Sequence, residues 1–385
     1  MALTTPLPRC PLFHKCGGCQ LQNLSYEEQL RYKQSKVNAL LGKFCRVQPI
    51  FGMENPYHYR NKVQAAFALT RQREVISGVY QSGSHRIVKV DSCQIEDTVA
   101  DRIVVDIRRM LPDFQILPYQ EDSRKGLLRH VLVRRGFQSG QVMVVLVTSN
   151  PIFPLKKKFV SALLQKHPEI TTVVLNINPY QTSLLLGERE EVLYGKGYIE
   201  DTLCDCVFRI SAKSFYQINP VQTEILYSNA IEFAQLTGKE RVLDAYCGIG
   251  TIGIIAAKNA GEVLGVEVNG DAVKDARVNA KLNALTNIGF VKADAGKYMV
   301  ELANEGQSVD VVFMDPPRAG SDEAFLTSVI TLSPKKVIYI SCNPETQARD
   351  LRTLVKGGYR VTKIQPVDMF PHTKHIECVC LLERK

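Results

Sequence analysis

No apolar run in the 385 residues approaches the ~20 needed to cross a bilayer, the longest being short ones such as Val142–Val147. A spanning helix is thereby excluded, and a soluble chain without a membrane partner is expected. An export signal is wanting too. Met1 to Lys15 carries three prolines and a cysteine where a signal peptide needs an unbroken apolar stretch, so a cytoplasmic location is expected. In that compartment disulfides are not the default use of eleven cysteines, and metal binding and catalysis become the readings to test. Internal repeats and low-complexity linkers are lacking. Hydrophobic residues at 45% and charged residues at 23% sit near globular averages, which excludes a disordered or fibrous chain. At roughly 150 residues per domain the length suggests two or three compact units, and nothing calls for an obligate protein partner.

Acidic residues are in short supply in one half only. Residues 1–213 hold 29 Lys and Arg against 19 Asp and Glu, whereas residues 214–385 hold 19 against 20. A basic half beside a neutral one is what a polyanion-binding module joined to a chemical module looks like, because Lys and Arg supply sequence-independent affinity for phosphate. A solvated basic surface explains the same numbers. The one marked charge run, Lys156–Lys158, reads as such a surface.

Beyond Ser214 the pattern is regular. A helix is predicted from Pro220 to about Leu236, followed by strands at Arg241–Ala245, Val263–Val268, Gly289–Asp294, Val309–Asp315 and Lys336–Ser341 with helical stretches between them. That alternation predicts an α/β fold, a mainly parallel Rossmann-like sheet with helices on both faces. Tyr359–Val367 and His375–Leu382 lie too close for a helix between them and should close the sheet as an antiparallel pair. Residues 1–213 read as a separate α+β domain, with the boundary near Ser211–Phe215 and a second domain over 214–385.

Asp244 to Gly253 forms a glycine loop between the first strand and its helix, where the backbone can turn tightly and bring free amides to a ligand. Glu267, ending the second strand, is placed to accept ribose hydroxyls of either NAD or S-adenosylmethionine, so the loop alone also fits an NAD-dependent oxidoreductase using a GxGxxG turn. The fourth-strand end, Asp315-Pro316-Pro317-Arg318, favours methyl transfer, since two prolines fix a loop at the sheet edge where α/β ligands bind. Next, Asn343 can cap a helix with Pro344 at its first position, which leaves Cys342 at a positive helix end that favours the nucleophilic thiolate. Alternation in the last strand turns Glu377 away from Cys378 and Cys380, so it could face the cleft as a base.

Cys10, Cys16 and Cys19 stand at C-x5-C-x2-C, with Cys93 far downstream. Four thiolates suit tetrahedral zinc or an iron–sulfur cluster, and spacing does not choose. The C-x3-C-x2-C pattern usual in radical enzymes is missing. Cys45, Cys204, Cys206, Cys247, Cys378 and Cys380 are assigned to core packing.

Five separated motifs, Ser214–Asn219, Asp244–Gly250, Asp315–Arg318, Ser341–Pro344 and Asp368–His372 followed by His375-Ile376-Glu377, occur in an order that resembles the RNA uracil-5-methyltransferases, the ribosomal-RNA branch most closely. The resemblance covers nearly the whole chain. It implies a class I methyltransferase domain preceded by a domain carrying a 4Fe-4S cluster on Cys10, Cys16, Cys19 and Cys93. It also implies that Gln217, Tyr246, Thr251, Glu267, Asp294 and Asp315 line the S-adenosylmethionine site, that Cys342 is the nucleophile and that Glu377 is the base. The expected partner is RNA, 23S ribosomal RNA before transfer RNA. Phe215 is a candidate wall for an extruded base. Many members of the family begin with a small β-barrel domain, whereas nine residues precede Cys10 in this sequence. Tyr59, Arg60, Lys62, Arg129, Arg134 and Arg135 are therefore candidates for gripping RNA. Two further rivals are an RNA cytosine-5-methyltransferase, which would carry a second cysteine beside the fourth-strand proline, and a non-catalytic metal-bound RNA-binding module.

Overall fold

The computed structural model of the protein describes residues 10–81, 83–84, 86–182 and 184–385, so the reading of the first nine residues lies outside them. The chain sorts into two compact units, one of residues 1–23, 56–202 and 209–213, the other of Leu24–Asn55, Leu203–Phe208 and Ser214–Lys385. The last switch between units lies between Lys213 and Ser214, and Leu24–Asn55 sorts with the later residues. The reason lies in helix α2 (Tyr26–Leu41), whose Val37 and Leu41 are fully buried in the second unit's core. Burying two such side chains contributes roughly 1.5–3 kcal/mol each.

In the first unit a single-turn helix α1 (Phe13–Cys16) precedes a seven-stranded sheet. Its strands are β1 (Lys62–Leu69), β2 (Val75–Tyr80), β3 (Ile87–Lys89), β4 (Leu128–Arg135), β5 (Val142–Thr148), β6 (Ile170–Ile177) and β7 (Arg189–Tyr194), in the order β3-β2-β1-β4-β5-β6-β7. All neighbours are antiparallel except β5 and β6, which are joined by helix α4 (Lys156–Lys166). Alternate residues of the central strands, among them Val63, Ala65, Val131, Val133, Val144 and Leu175, face α3 (Thr98–Met110) and α4 in one core. Two short strands, β8 (Tyr198–Leu203) and β9 (Cys206–Ser211), pair as a ribbon whose residues are divided between the units.

The second unit is the alternating fold that the sequence predicts. Strands β10 (Arg241–Ala245), β11 (Glu262–Glu267), β12 (Ile288–Lys292), β13 (Val311–Met314) and β14 (Lys336–Ser341) are parallel, in the order β12-β11-β10-β13-β14. Strand β16 (Glu377–Arg384) runs antiparallel between β14 and β15 (Tyr359–Val367). Helices α8 (Ala295–Asn304), α9 (Glu323–Leu332) and α10 (Pro344–Lys356) cover one face together with α2. Helices α5 (Pro220–Ala234), α6 (Thr251–Ala257) and α7 (Gly270–Leu282) contact strands of the same sheet without joining that cluster, which places them on the other face. Asparagines start two of these helices as expected: Asn219 and Asn343 each accept a backbone N–H in the first turn, ahead of Pro220 and Pro344. No helix among the described residues is long and apolar enough to cross a membrane.

A buried ion pair ties α2 to the segment before β16. Lys33 Nζ lies 2.5 Å from Asp368 Oδ1, with neither side chain exposed, and also donates to the Phe370 carbonyl at 3.0 Å. Tyr26 donates to the other Asp368 oxygen at 2.9 Å, and Gln29 accepts the His372 N–H at 2.9 Å. From α5, Asn219 donates to the Met369 carbonyl and Gln222 to that of Asp368. Residues 368–373 are thus held from two helices, and they lead directly into Glu377.

Candidate active site

Parallel register lines up the carboxyl ends of the strands. Ala245 pairs with Val266 on one side and Met314 on the other, so Tyr246, Glu267 and Asp315 are the next residues at one level of the sheet edge. Glu267 in turn pairs with Lys292, two residues before Asp294. The antiparallel pairing of Ser341 with Cys378 puts Cys342 opposite Glu377 one step further on. Sequence reasoning found both residues separately; the register brings them together.

The glycine loop turns through left-handed backbone at Tyr246, Gly248 and Gly250 (φ 62°, 55° and 84°). Such a conformation in a tyrosine costs of order 1–3 kcal/mol and persists where surrounding structure fixes it. Here the Tyr246 ring packs on Phe325, 4.9 Å between centroids. The loop is less free than its motif suggests. Gly253 N–H donates to Asp244 Oδ2 at 2.8 Å, and Gly248 N–H donates to Glu267 Oε2 at 3.1 Å. Glu267 Oε1 accepts the Asn269 N–H as well, so the carboxylate keeps about two of its roughly four lone-pair positions for a ligand. Asp294 is exposed and caps α8 through the Lys297 N–H. A side chain at Gly248 would meet nothing within 4 Å, leaving open space beside these carboxylates.

Tyr227, on α5, escaped sequence reasoning because one tyrosine in an apolar helix reads as core. It is buried, and its hydroxyl joins Thr251 and Gln217 by side-chain hydrogen bonds, which brings those two predicted residues together. Burial raises its pKa well above the usual range, and the Asp315 carboxylate adds to that.

Four ionisable groups then share one field. Glu377 is 3% exposed, and its Oε2 has no hydrogen-bond partner among the described residues. Burial and the Asp315 charge raise its pKa far above the usual carboxylate range, against the pull of Arg318. Burial pushes half-buried Asp315 up to about 7. The Cys342 thiol rises to about 11 through burial and the carboxylates of Glu377 and Asp315, opposed by Arg318, which also hydrogen-bonds it. This corrects the expectation of a thiolate-favouring position: the cap at Asn343 is present, but burial beside two acids outweighs the helix end. Asn343 has a second task, donating to the Arg318 carbonyl at 3.1 Å and so tying the proline loop beside Cys342. Asp244 also escaped notice as a titrating group; burial lifts it to about 7. Phe215 is 66% exposed.

Three of the early cysteines, Cys10, Cys16 and Cys19, lie within electrostatic reach of one another. Cys10 and Cys16 both raise the Cys19 pKa, to about 12, after burial, while Cys93 is raised by burial and by Glu96. No three His, Cys, Asp or Glu side chains among the described residues come together as a metal-binding group. The cluster that the resemblance implies is therefore not shown, and no step is derived through one. The expected RNA grip also needs correction. Tyr59, Arg129 and Arg134 are buried, Arg134 donating to the Ala212 carbonyl and Arg129 pairing with Glu121. Arg135 pairs with Asp97 at 2.8 Å, and half-buried Lys62 is lowered to about 8 by burial and by Arg134 and Arg60. Arg129, Arg134 and Arg135 are thus engaged by carbonyls and acids of their own unit.

A family model described as tRNA (Uracil-5-)-methyltransferase matches residues 25–385. The chain belongs to that family. An uncharacterized RNA methyltransferase of Halalkalibacterium halodurans is 45% identical over 381 residues, 98% of this chain and 83% of that protein. A second, from Caldanaerobacter subterraneus subsp. tengcongensis, is 45% identical over 381 residues, 98% of this chain and 84% of that one. The crystal structure of the Pyrococcus abyssi tRNA (uracil-54, C5)-methyltransferase in complex with S-adenosyl-L-homocysteine superposes with a TM-score of 0.80 at 28% identity, covering 98% of this chain and 87% of that one. Membership of the uracil-5-methyltransferase family makes the chain an RNA methyltransferase with the mainly parallel methyltransferase sheet described above.

Proposed function

We propose that the chain methylates C5 of a uridine in structured RNA, 23S ribosomal RNA being the substrate class, through a temporary bond between Cys342 and C6 of the ring. The observation that carries this is the pair at the sheet edge, a cysteine opposite a buried glutamate that keeps one oxygen unpartnered. C5 of uracil is a weak carbon nucleophile. Cys342 gives up its thiol proton to water, and its sulfur adds to C6 and pushes electron density onto C5, which can then take up a methyl group. Glu377 accepts the proton that C5 must afterwards lose, and the C6–S bond breaks with its electron pair returning to sulfur, which restores the ring. A carboxylate whose pKa burial has raised is a stronger base than an exposed one, as this step needs.

S-adenosylmethionine, when bound, supplies an electrophilic methyl group. Tyr246, Glu267, Asp294 and Asp315 at the strand ends, with Gln217 and Thr251 on Tyr227, are the residues proposed to hold it. The open space at Gly248 and the free lone pairs of Glu267 support that assignment, as does the S-adenosyl-L-homocysteine in the similar Pyrococcus abyssi structure. That structure's transfer-RNA substrate favours a second reading, a uridine of tRNA. Mapping 5-methyluridine in ribosomal and transfer RNA from cells lacking the gene tests both. Loss from 23S RNA alone supports the first, loss from tRNA alone the second, and loss from neither refutes the activity.

A further inference from the structure

One face of the first unit's sheet carries a cleft that the proposed reaction does not use. Register sets Gly78, Ala66 and His130 side by side on β2, β1 and β4. Two residues with almost no side chain leave a depression there, and the cleft it opens into has a volume of about 1050 Å3, at the upper end of the ~300–1,000 Å3 usual for ligand sites. The walls are built, not incidental. Arg129 donates to the carbonyls of Asn178 and Tyr180 at 2.8 and 2.7 Å, and Asn178 donates to those of Leu184 and Leu185, which fixes the rim around Gln181, Thr182 and Leu184. Arg129 is 5% exposed and keeps its Nε without a hydrogen-bond partner.

The lining is aromatic and polar with balanced charge. Tyr80, 41% exposed, meets the His130 ring edge to face at 6.1 Å, and Leu184 is 71% exposed on the rim. Arg124 and Arg129 stand against Glu121 and Asp122, so the cleft carries no surplus of positive charge with which to follow a phosphate chain. Neither ring nitrogen of His130 has a hydrogen-bond partner among the described residues. Burial, aided by Arg129, lowers its pKa to about 4, so at neutral pH the ring offers one donor and one acceptor. A flat ring face, a neutral imidazole and the Gln64 amide match an unpaired nucleobase, which proteins hold by stacking and read along its edges.

We propose that this cleft is a second nucleotide subsite that takes an unpaired base of the RNA substrate at a position other than the uridine being modified. The assignment rests on RNA being the substrate, and its test separates the two. The full chain would be assayed on RNA extracted from cells lacking the gene, comparing Tyr80→Ala, His130→Ala and the cleft-filling Ala66→Phe with the parent. Loss of one stacked base should raise KM for that RNA roughly tenfold, with kcat and S-adenosylmethionine affinity unchanged. Unchanged KM in all three variants, with methylation still present, overturns the subsite and leaves the activity standing. Irradiation of the complex with 4-thiouridine-substituted RNA should mark peptides containing Tyr80 or His130; adducts confined to residues 214–385 overturn the proposal. Equilibrium dialysis with AMP, GMP, CMP and UMP supplies the last arm. Saturable binding of a free nucleotide that Ala66→Phe abolishes, together with an unchanged KM for RNA, would assign the cleft to a free nucleotide instead.

Discussion

Replacing Glu377 by glutamine keeps the shape of the side chain and removes only its ability to take a proton. Glu377 is 3% exposed with Oε2 unpartnered, so the new amide also meets no ready partner, at a cost of about 1–3 kcal/mol in stability. That cost lowers the melting temperature without emptying the folded state. The effect on turnover is larger, because a positioned general base contributes roughly 10²- to 10⁴-fold. Cys342, one residue past the end of the neighbouring strand, is unchanged, so addition to C6 and methyl uptake at C5 proceed while release does not. The expected result is a fall in turnover of at least about 100-fold together with a covalent protein–RNA adduct that survives a denaturing gel and carries the transferred methyl group. Alkylation of Cys342 by iodoacetamide serves as the control. With its pKa near 11 instead of 9, the thiol of the free parent enzyme should react roughly 100-fold more slowly than an unperturbed one at the same pH, and the variant should not react more slowly still. Turnover within tenfold of the parent, or absence of any adduct while RNA binding is intact, refutes the role given to Glu377.

Four further outcomes are expected. Cys342→Ala should abolish methylation and adduct formation alike while S-adenosylmethionine affinity, read by calorimetry, stays within about twofold; residual turnover near the parent level refutes it. Asp244 titrates near 3.9 unfolded and about 7 folded, so the folded state binds more protons between those values and stability falls as pH rises from about 4 to 7, by up to ~1.4 kcal/mol per pH unit. Asp244→Asn should flatten that part of the melting-temperature profile, and an unchanged profile would contradict it. Lys33→Met leaves the buried Asp368 carboxylate without its cation and should destabilise by about 3–5 kcal/mol in chemical denaturation, with Lys33→Met/Asp368→Asn recovering part of the loss. Iron and acid-labile sulfide assayed after anaerobic purification check the four cysteines: roughly four irons per chain is the outcome the family resemblance implies, and zinc alone or no metal refutes it.

The second unit was legible because each of its signals is local. Proline after asparagine marks the starts of α5 and α10, glycines mark the turn after β10, and buried parallel strands read as short apolar runs. Bounds moved by one or two residues where a strand meets its loop, as at β12, expected to run to Asp294 and ending at Lys292. What stayed hidden depends on contacts between distant segments. Helix α2 looks like part of the early domain until the pairing of Lys33 with Asp368, 335 positions apart, attaches it elsewhere. The arginines of β4 have the composition of an RNA grip, yet Arg129 and Arg134 satisfy backbone carbonyls inside their own unit.

The nucleophile shows most clearly why local signals mislead. An asparagine cap and a helix start argue for a thiolate at Cys342, and both are present, yet they act over one turn and are worth about 0.3–1 kcal/mol. Partial burial and two carboxylates act on the same sulfur and push its pKa up to about 11, so they win. The consequence is chemical. Oxidants and alkylating agents attack the thiolate, so a sulfur kept protonated in the free enzyme is protected until something neutralises the acids beside it. Asp315→Asn removes one of those acids, and it should speed alkylation of Cys342 by iodoacetamide in the free enzyme, most visibly above pH 7 where Asp315 is ionised. An alkylation rate unchanged across pH 6 to 9 would mean that burial alone sets the thiol, and the electrostatic account of the site would fail there.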